Sequence, residues 1–134
     1  MTVPHPRSDE LCVLADAGDA AGVLEIVTLD DIAHEWCDLT AERMAHPYVD
    51  DPDEPGSEWW PVWFLYNCLR RVPQLHRELL VKLVACAPND DVLGAIGAGP
   101  FEDWLYSSRD EIFWLEAEAR KDPQFQRALD VMRF

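Results

Sequence analysis

Basic residues are scarce in this chain: 11 Lys and Arg stand against 26 Asp and Glu, a formal net charge of −15. That balance argues against direct binding of nucleic acid or of an anionic membrane surface, because both are polyanions. Long apolar runs are missing as well. No stretch of about 18 apolar residues occurs, so no segment is expected to span a membrane. The first ten residues hold Pro4, Pro6, Arg7, Asp9 and Glu10 and lack the basic start and apolar centre of a secretory signal. The expected location is therefore cytoplasmic. Cys12, Cys37, Cys68 and Cys86 are widely spaced and form no CxxC pair, which reads as four reduced thiols rather than a zinc or redox motif. HExxH, GxSxG and GKS/T signatures are absent too. The expectation is a protein that is not an enzyme, with no catalytic residue, no cofactor and no metal.

What is present is a core and a negative field. The 134 residues are 49% hydrophobic and include six Trp, enough for a single domain around one core. The charge is placed unevenly. Residues 1–58 carry 15 acids against two bases, Arg7 and Arg43, for −13, whereas residues 59–134 carry 11 acids against nine bases, for −2.

Helix signals recur along the chain and strand signals are few. Ser8-Asp9-Glu10 predicts an N-cap and a short helix to about Asp16. Val23–Val27 is ambiguous between a helix end and a short strand. Thr28-Leu29-Asp30-Asp31 predicts a capping box, followed by Leu29, Ile32, Ala33, Trp36, Leu39 and Thr40 on one helical face. Asp30, Asp31, Glu35, Asp38 and Glu42 fall largely off that face, and His46-Pro47 ends the helix.

Residues 46–58 form an acidic, proline-rich loop with Asp50, Asp51, Asp53 and Glu54. Trp59–Val72 is apolar nearly all round and predicts a central helix with Pro61 in its first turn. Pro73 opens the next helix after a three-residue connection, which implies an antiparallel pair. Asn89, Ser108 and Asp122 predict further caps, while Gly97-Ala98-Gly99-Pro100 predicts a sharp corner that breaks and restarts the chain, where Gly97 and Gly99 permit positive φ. Glu102 and Asp103 then stand in a first helical turn, where acids offset the helix dipole.

The fold class expected is all-α. It is a compact bundle of about six or seven short helices packed as antiparallel pairs, in the style of helical repeats. The domain spans 1–134, with an N-terminal segment 1–27, the acidic loop 46–58 and a helical-pair core 59–134.

The C-terminal motifs also resemble a known family. Gly97-Ala98-Gly99-Pro100-Phe101-Glu102-Asp103-Trp104-Leu105, then Glu116-Ala117-Glu118-Ala119-Arg120 and Asp122-Pro123-Gln124-Phe125-Gln126-Arg127-Ala128-Leu129, resemble the uncharacterised bacterial family called domain of unknown function 6869. Ala33-His34-Glu35-Trp36 and Trp63 look like its earlier helices, so the likeness covers about residues 29–134. Phe101 stands where that family usually has Leu, and Phe134 where a terminal Trp is expected. The resemblance implies a helical fold and carries no activity.

Three function classes fit these residues. The leading one is a non-enzymatic acidic binding protein that neutralises or escorts a basic protein partner, as an immunity-type protein or a nucleic-acid-mimicking inhibitor does. The second is a structural or adaptor module whose charge keeps it soluble. The third is a small metal-binding or hydrolytic protein using His34 and Cys37, which lie one turn apart. The partner-binding residues expected are Asp30, Asp31, Glu35, Asp38, Glu42, Asp50, Asp51, Asp53 and Glu54. Trp59 and Trp60 join them as apolar anchors, because Trp is favoured at interface hot spots.

Overall fold

The capping box at Thr28 forms as its sequence dictates. The Thr28 hydroxyl accepts from the Asp31 N–H at 3.1 Å, and the Asp31 carboxylate accepts from the Thr28 N–H at 2.9 Å. From this start runs the 17-residue helix Leu29–Ala45, closed at His46 as expected before Pro47. The computed structural model of the chain describes residues 5–46 and 56–132. Among these residues there are nine α-helical segments and no strand, so the fold is all-α.

Two short helices precede the capping box, α1 (Ser8–Asp16) and α2 (Ala20–Leu24), and the Leu29–Ala45 helix is α3. The ambiguous Val23–Val27 stretch holds the last two residues of α2, Val23 and Leu24, and the turn that follows them. Asp19 caps that helix by accepting from the Gly22 N–H at 2.9 Å. Gly18, between α1 and α2, has φ +74°, the conformation that glycine tolerates best. Ser8 is not the cap of α1. It lies inside the helix, buried, donating its hydroxyl to the His5 carbonyl, while Arg7 holds the cap position.

A 3-10 turn, Ser57–Trp59, which takes in the last two residues of the expected 46–58 loop, leads into α4 (Trp60–Cys68), and α5 (Pro73–Cys86) follows; residues 47–55 of that loop lie outside the described residues. The antiparallel pairing expected between α4 and α5 does not form. Helix α4 lies on α1 and helix α5 lies on α3, so the Leu69–Val72 turn redirects the chain to a new neighbour. The reason is in the side chains. Trp60 and Phe64 of α4 are buried against the N-terminal helices, whereas Leu79, Leu80, Leu83 and Val84 of α5 meet Ile32, Ala33, Trp36 and Cys37 of α3 in the common core.

The expected corner at Gly97–Pro100 is also absent. Helix α6 (Asp90–Ile96), capped by Asn89, continues through a π-helical turn, Gly97–Phe101, directly into α7 (Glu102–Ser107). Gly97 is helical at φ −64°, and neither Gly97 nor Gly99 has positive φ. Two constraints produce this arrangement. Pro100 has no N–H and its ring collides with the i−4 carbonyl of a regular helix, and an i→i+5 turn relieves both conflicts. Gly97 is required for packing rather than for φ. A Cβ there would stand closer than 3.0 Å to the backbone oxygen and carbon of Ala128. Glu102 and Asp103 are consequently mid-rod residues and not the first turn of a free helix.

A 3-10 turn, Arg109–Glu111, opens α8 (Ile112–Lys121), and Asp122 alone joins it to α9 (Pro123–Val131) as a helical hairpin. Asp122 caps α9 as read from sequence, accepting from the Gln124 N–H at 3.0 Å. Ser108 makes no side-chain cap. Helix α9 packs on α5, on α6 and on the π turn, which closes the core around Phe101 and Phe125, whose ring centroids are 4.9 Å apart.

Candidate functional site

Of the acidic residues read from sequence, those on α3 are separated by function. Asp30 is exposed and pairs with Lys82 of α5 at 2.9 Å. Asp31 is committed to the capping box, and its backbone hydrogen bond with Thr28 lowers its pKa. Asp38 is exposed, while Glu35 and Glu42 are half-buried. Burial raises the Glu35 pKa, and its carboxylate lies near the indole N–H of Trp60, which meets no acceptor at hydrogen-bond distance. Asp50, Asp51, Asp53 and Glu54 lie outside the described residues.

The two expected anchors part company. Trp60 has no exposed surface and fills the core between α1 and α4, so it is removed from the partner-binding set. Trp59 is half-buried beneath the Arg43 guanidinium, 4.1 Å from its ring centroid.

His34 and Cys37 do not converge. Cys37 points inward and donates to the Leu83 carbonyl, and burial pushes its thiol up to about 12. His34 faces outward, with Nε2 3.7 Å from the Cys86 sulfur. Among the described residues, no group of three or more His, Cys, Asp or Glu side chains is placed to hold a metal ion.

A site that sequence reasoning missed lies where α4, the start of α5 and the rod α6–π–α7 meet. Tyr66 and Arg70 come from the α4 side, His76 from α5, Pro100 from the π turn, and Asp103 and Ser107 from α7; all line one partly open cleft. It holds about 10 Å³ of water-accessible space, room for about one water molecule. Tyr66 Oη donates to Asp103 Oδ2 at 2.5 Å. Burial, and then this hydrogen bond to a carboxylate, push the tyrosine pKa up to about 12.

His76 is only 4% exposed, and neither ring nitrogen has a hydrogen-bond partner. Its ring stacks on Trp104, with centroids 4.4 Å apart and planes at 23°. Burial lowers its pKa to about 4, so it is neutral at physiological pH. The Leu69 carbonyl, near the ring but outside hydrogen-bond geometry, and the Glu111 carboxylate oppose that shift without reversing it.

The floor of this cleft is braced from outside. Trp114 meets Trp104 edge-on at 5.6 Å. Arg77 of α5 forms a two-pronged ion pair with Glu111, each N···O at 2.9 Å, fixing α5 to the turn before α8. The signal for His76 was present in the sequence. It sits three and four residues before Leu79 and Leu80, a polar side chain on the apolar stripe of α5.

Compared with protein-family models, with curated proteins and with solved structures, the chain matches none.

Proposed function

We propose that this is a non-enzymatic acidic binding protein whose partner is a basic protein. One observation carries the reading: the 15 acids of residues 1–58 have only two bases of their own half to offset them. Both of those bases are already engaged, Arg7 in a 2.7 Å ion pair with Glu10 and Arg43 over Trp59. From the other half, Lys82 reaches across to Asp30. A field of this size raises the encounter rate with a cation and is costly to keep folded. The likeness of residues 29–134 to domain of unknown function 6869 belongs to this proposal as a statement of kinship only.

The test is capture by the tagged chain from an extract of its native host, followed by association kinetics with the captured protein. The expected partner is basic, and its association slows as salt screens charges beyond about 10 Å at 0.1 M. Reversing Asp50, Asp51 and Asp53 to Lys is expected to slow association and flatten its salt dependence. Association with an acidic partner, or a rate untouched by the reversal, would overturn the reading in favour of a structural module with a solubilising surface.

A further inference from the structure

Apart from the exposed Arg70, the polar groups lining the cleft between α4, α5 and the π turn are acceptors. Tyr66 directs its proton to Asp103, and Ser107 directs its own to the Trp104 carbonyl at 3.0 Å. Both hydroxyl oxygens are left with lone pairs and no proton to offer. The Asp103 carboxylate is an acceptor only, and a neutral imidazole keeps one acceptor nitrogen. A buried polar group without a partner is rare and costs roughly 1–3 kcal/mol, so His76 marks a position where the folded chain alone is incomplete.

We infer that this cleft receives a primary ammonium group on an apolar stem, and that its occupant is a lysine side chain of the basic partner. The inference rests on the proposed function, in which the partner is basic, and it names the group recognised. An ammonium is about the size of the single water that the hollow admits. It donates three hydrogen bonds and accepts none, which matches acceptors supplied by Asp103 and the hydroxyl oxygens of Tyr66 and Ser107. A water molecule supplies two donors and no charge. A guanidinium is planar and larger than the hollow, and a carboxylate would face lone pairs and Asp103. The apolar walls, Leu65 and Pro100, suit a methylene stem. Arg70 lines the same cleft and opposes a cation, but it is exposed and can swing into solvent.

The experiment is an NMR titration of the full chain at constant ionic strength, reading the ring signals of His76 and Trp104, with the His76 signals assigned by His76→Phe. The probes are n-butylammonium chloride, N-acetyl-lysine N-methylamide, n-butylguanidinium chloride and sodium butyrate. Both amines are expected to give saturating shifts, the guanidinium to bind more weakly, and butyrate to give none. Asp103→Asn is expected to weaken amine binding about tenfold or more, since a hydrogen bond to a charged group is lost. Tyr66→Phe serves the same purpose if the first variant does not fold, and Arg70→Ala is expected to tighten binding.

Linear, unsaturating drift with the amines would leave the cleft as a water site only and overturn the proposal. Butyrate binding as well as the amines, or unchanged affinity in Asp103→Asn, would do the same. Saturation by butylammonium with exclusion of the lysine amide would overturn the lysine assignment. The two readings separate cleanly. If Asp103→Asn leaves capture of a basic protein intact while charge reversal at residues 50, 51 and 53 slows it, the cleft fails and the acidic reading stands. If the amines saturate and no basic protein is captured, the cleft stands as an ammonium site and the acidic reading fails.

Discussion

Gly97 and Gly99 are two residues apart in the same π turn, yet the structure predicts opposite responses to alanine. At Gly97 an added methyl would meet the Ala128 carbonyl group at less than 3.0 Å; at Gly99 nothing lies within 4 Å. The obstacle at Gly97 is backbone, so no rotamer change removes it. Helix α9 must instead shift away from the rod and loosen the Phe101–Phe125 contact. Overpacking of that kind costs about 1–3 kcal/mol, and a backbone obstacle puts Gly97→Ala near the upper end. Gly99→Ala removes backbone freedom from the unfolded chain without a clash and is expected to stabilise by up to about 1 kcal/mol. For a domain of this size each kcal/mol moves Tm by roughly 4 °C. Thermal and urea unfolding followed by circular dichroism would then place the two variants about 10 °C or more apart, on either side of the parent. Ala128→Gly is not expected to rescue Gly97→Ala, because the carbonyl remains. A Gly97→Ala protein as stable as the parent, or a Gly99→Ala protein equally damaged, would refute the idea that glycine is there for helix–helix approach.

Other consequences follow from single contacts. Thr28→Ala removes one arm of the capping box and should cost about 1 kcal/mol in urea unfolding, with Thr28→Ser nearly neutral. The folded-state pKa of His76, about 4, lies below its ordinary 6.5, so the unfolded chain takes up the proton first. Stability contributed by neutral His76 is complete above pH 6.5 and is lost as pH falls toward 4. The loss approaches about 3 kcal/mol. The difference between the parent and His76→Phe across that window isolates the effect from the titrating carboxylates; parallel pH profiles for the two proteins would rule it out. Lys82→Met breaks a largely exposed pair with Asp30 and should change stability by no more than about 0.5 kcal/mol at moderate salt.

Local chemistry was legible in the sequence where it acts over three or four residues. Thr28, Asn89 and Asp122 cap as their types and spacing require, α3 closes at His46 and α5 opens at Pro73. The apolar face of α3 was equally plain. The errors concern choices settled by distant partners. Whether α4 folds back on α5 depends on what Trp60 and Phe64 find among the N-terminal helices, and a short connection does not determine it. Gly97-Ala98-Gly99-Pro100 has the composition of a corner. The rod stays unbroken because α9 packs against it and the π turn absorbs the proline. The same limit hid the cleft. Tyr66 reads as one more apolar position and Asp103 as a helix-start acid, and only the crossing of α4 with α7 brings them within 2.5 Å.

Two features of the folded chain work against its own stability. An excess of 15 negative charges repels itself, and a buried imidazole sits with neither nitrogen partnered. A sequence selected for folding alone has inexpensive alternatives: Phe at position 76 would keep the ring stack on Trp104 and discard the orphan nitrogens, and a few bases would relieve residues 1–58. The two penalties have different ranges. The acidic field acts over about a Debye length and is indifferent to shape, whereas the cleft acts over single hydrogen bonds and admits one small group. On the proposed reading, a basic partner with a narrow cationic tip meets the field first, by proximity, and the cleft second, by insertion. That order assigns separate kinetic roles. Changes in the acidic half should appear in the association rate and its salt dependence, and changes at Asp103, Tyr66 or His76 should appear in the dissociation rate.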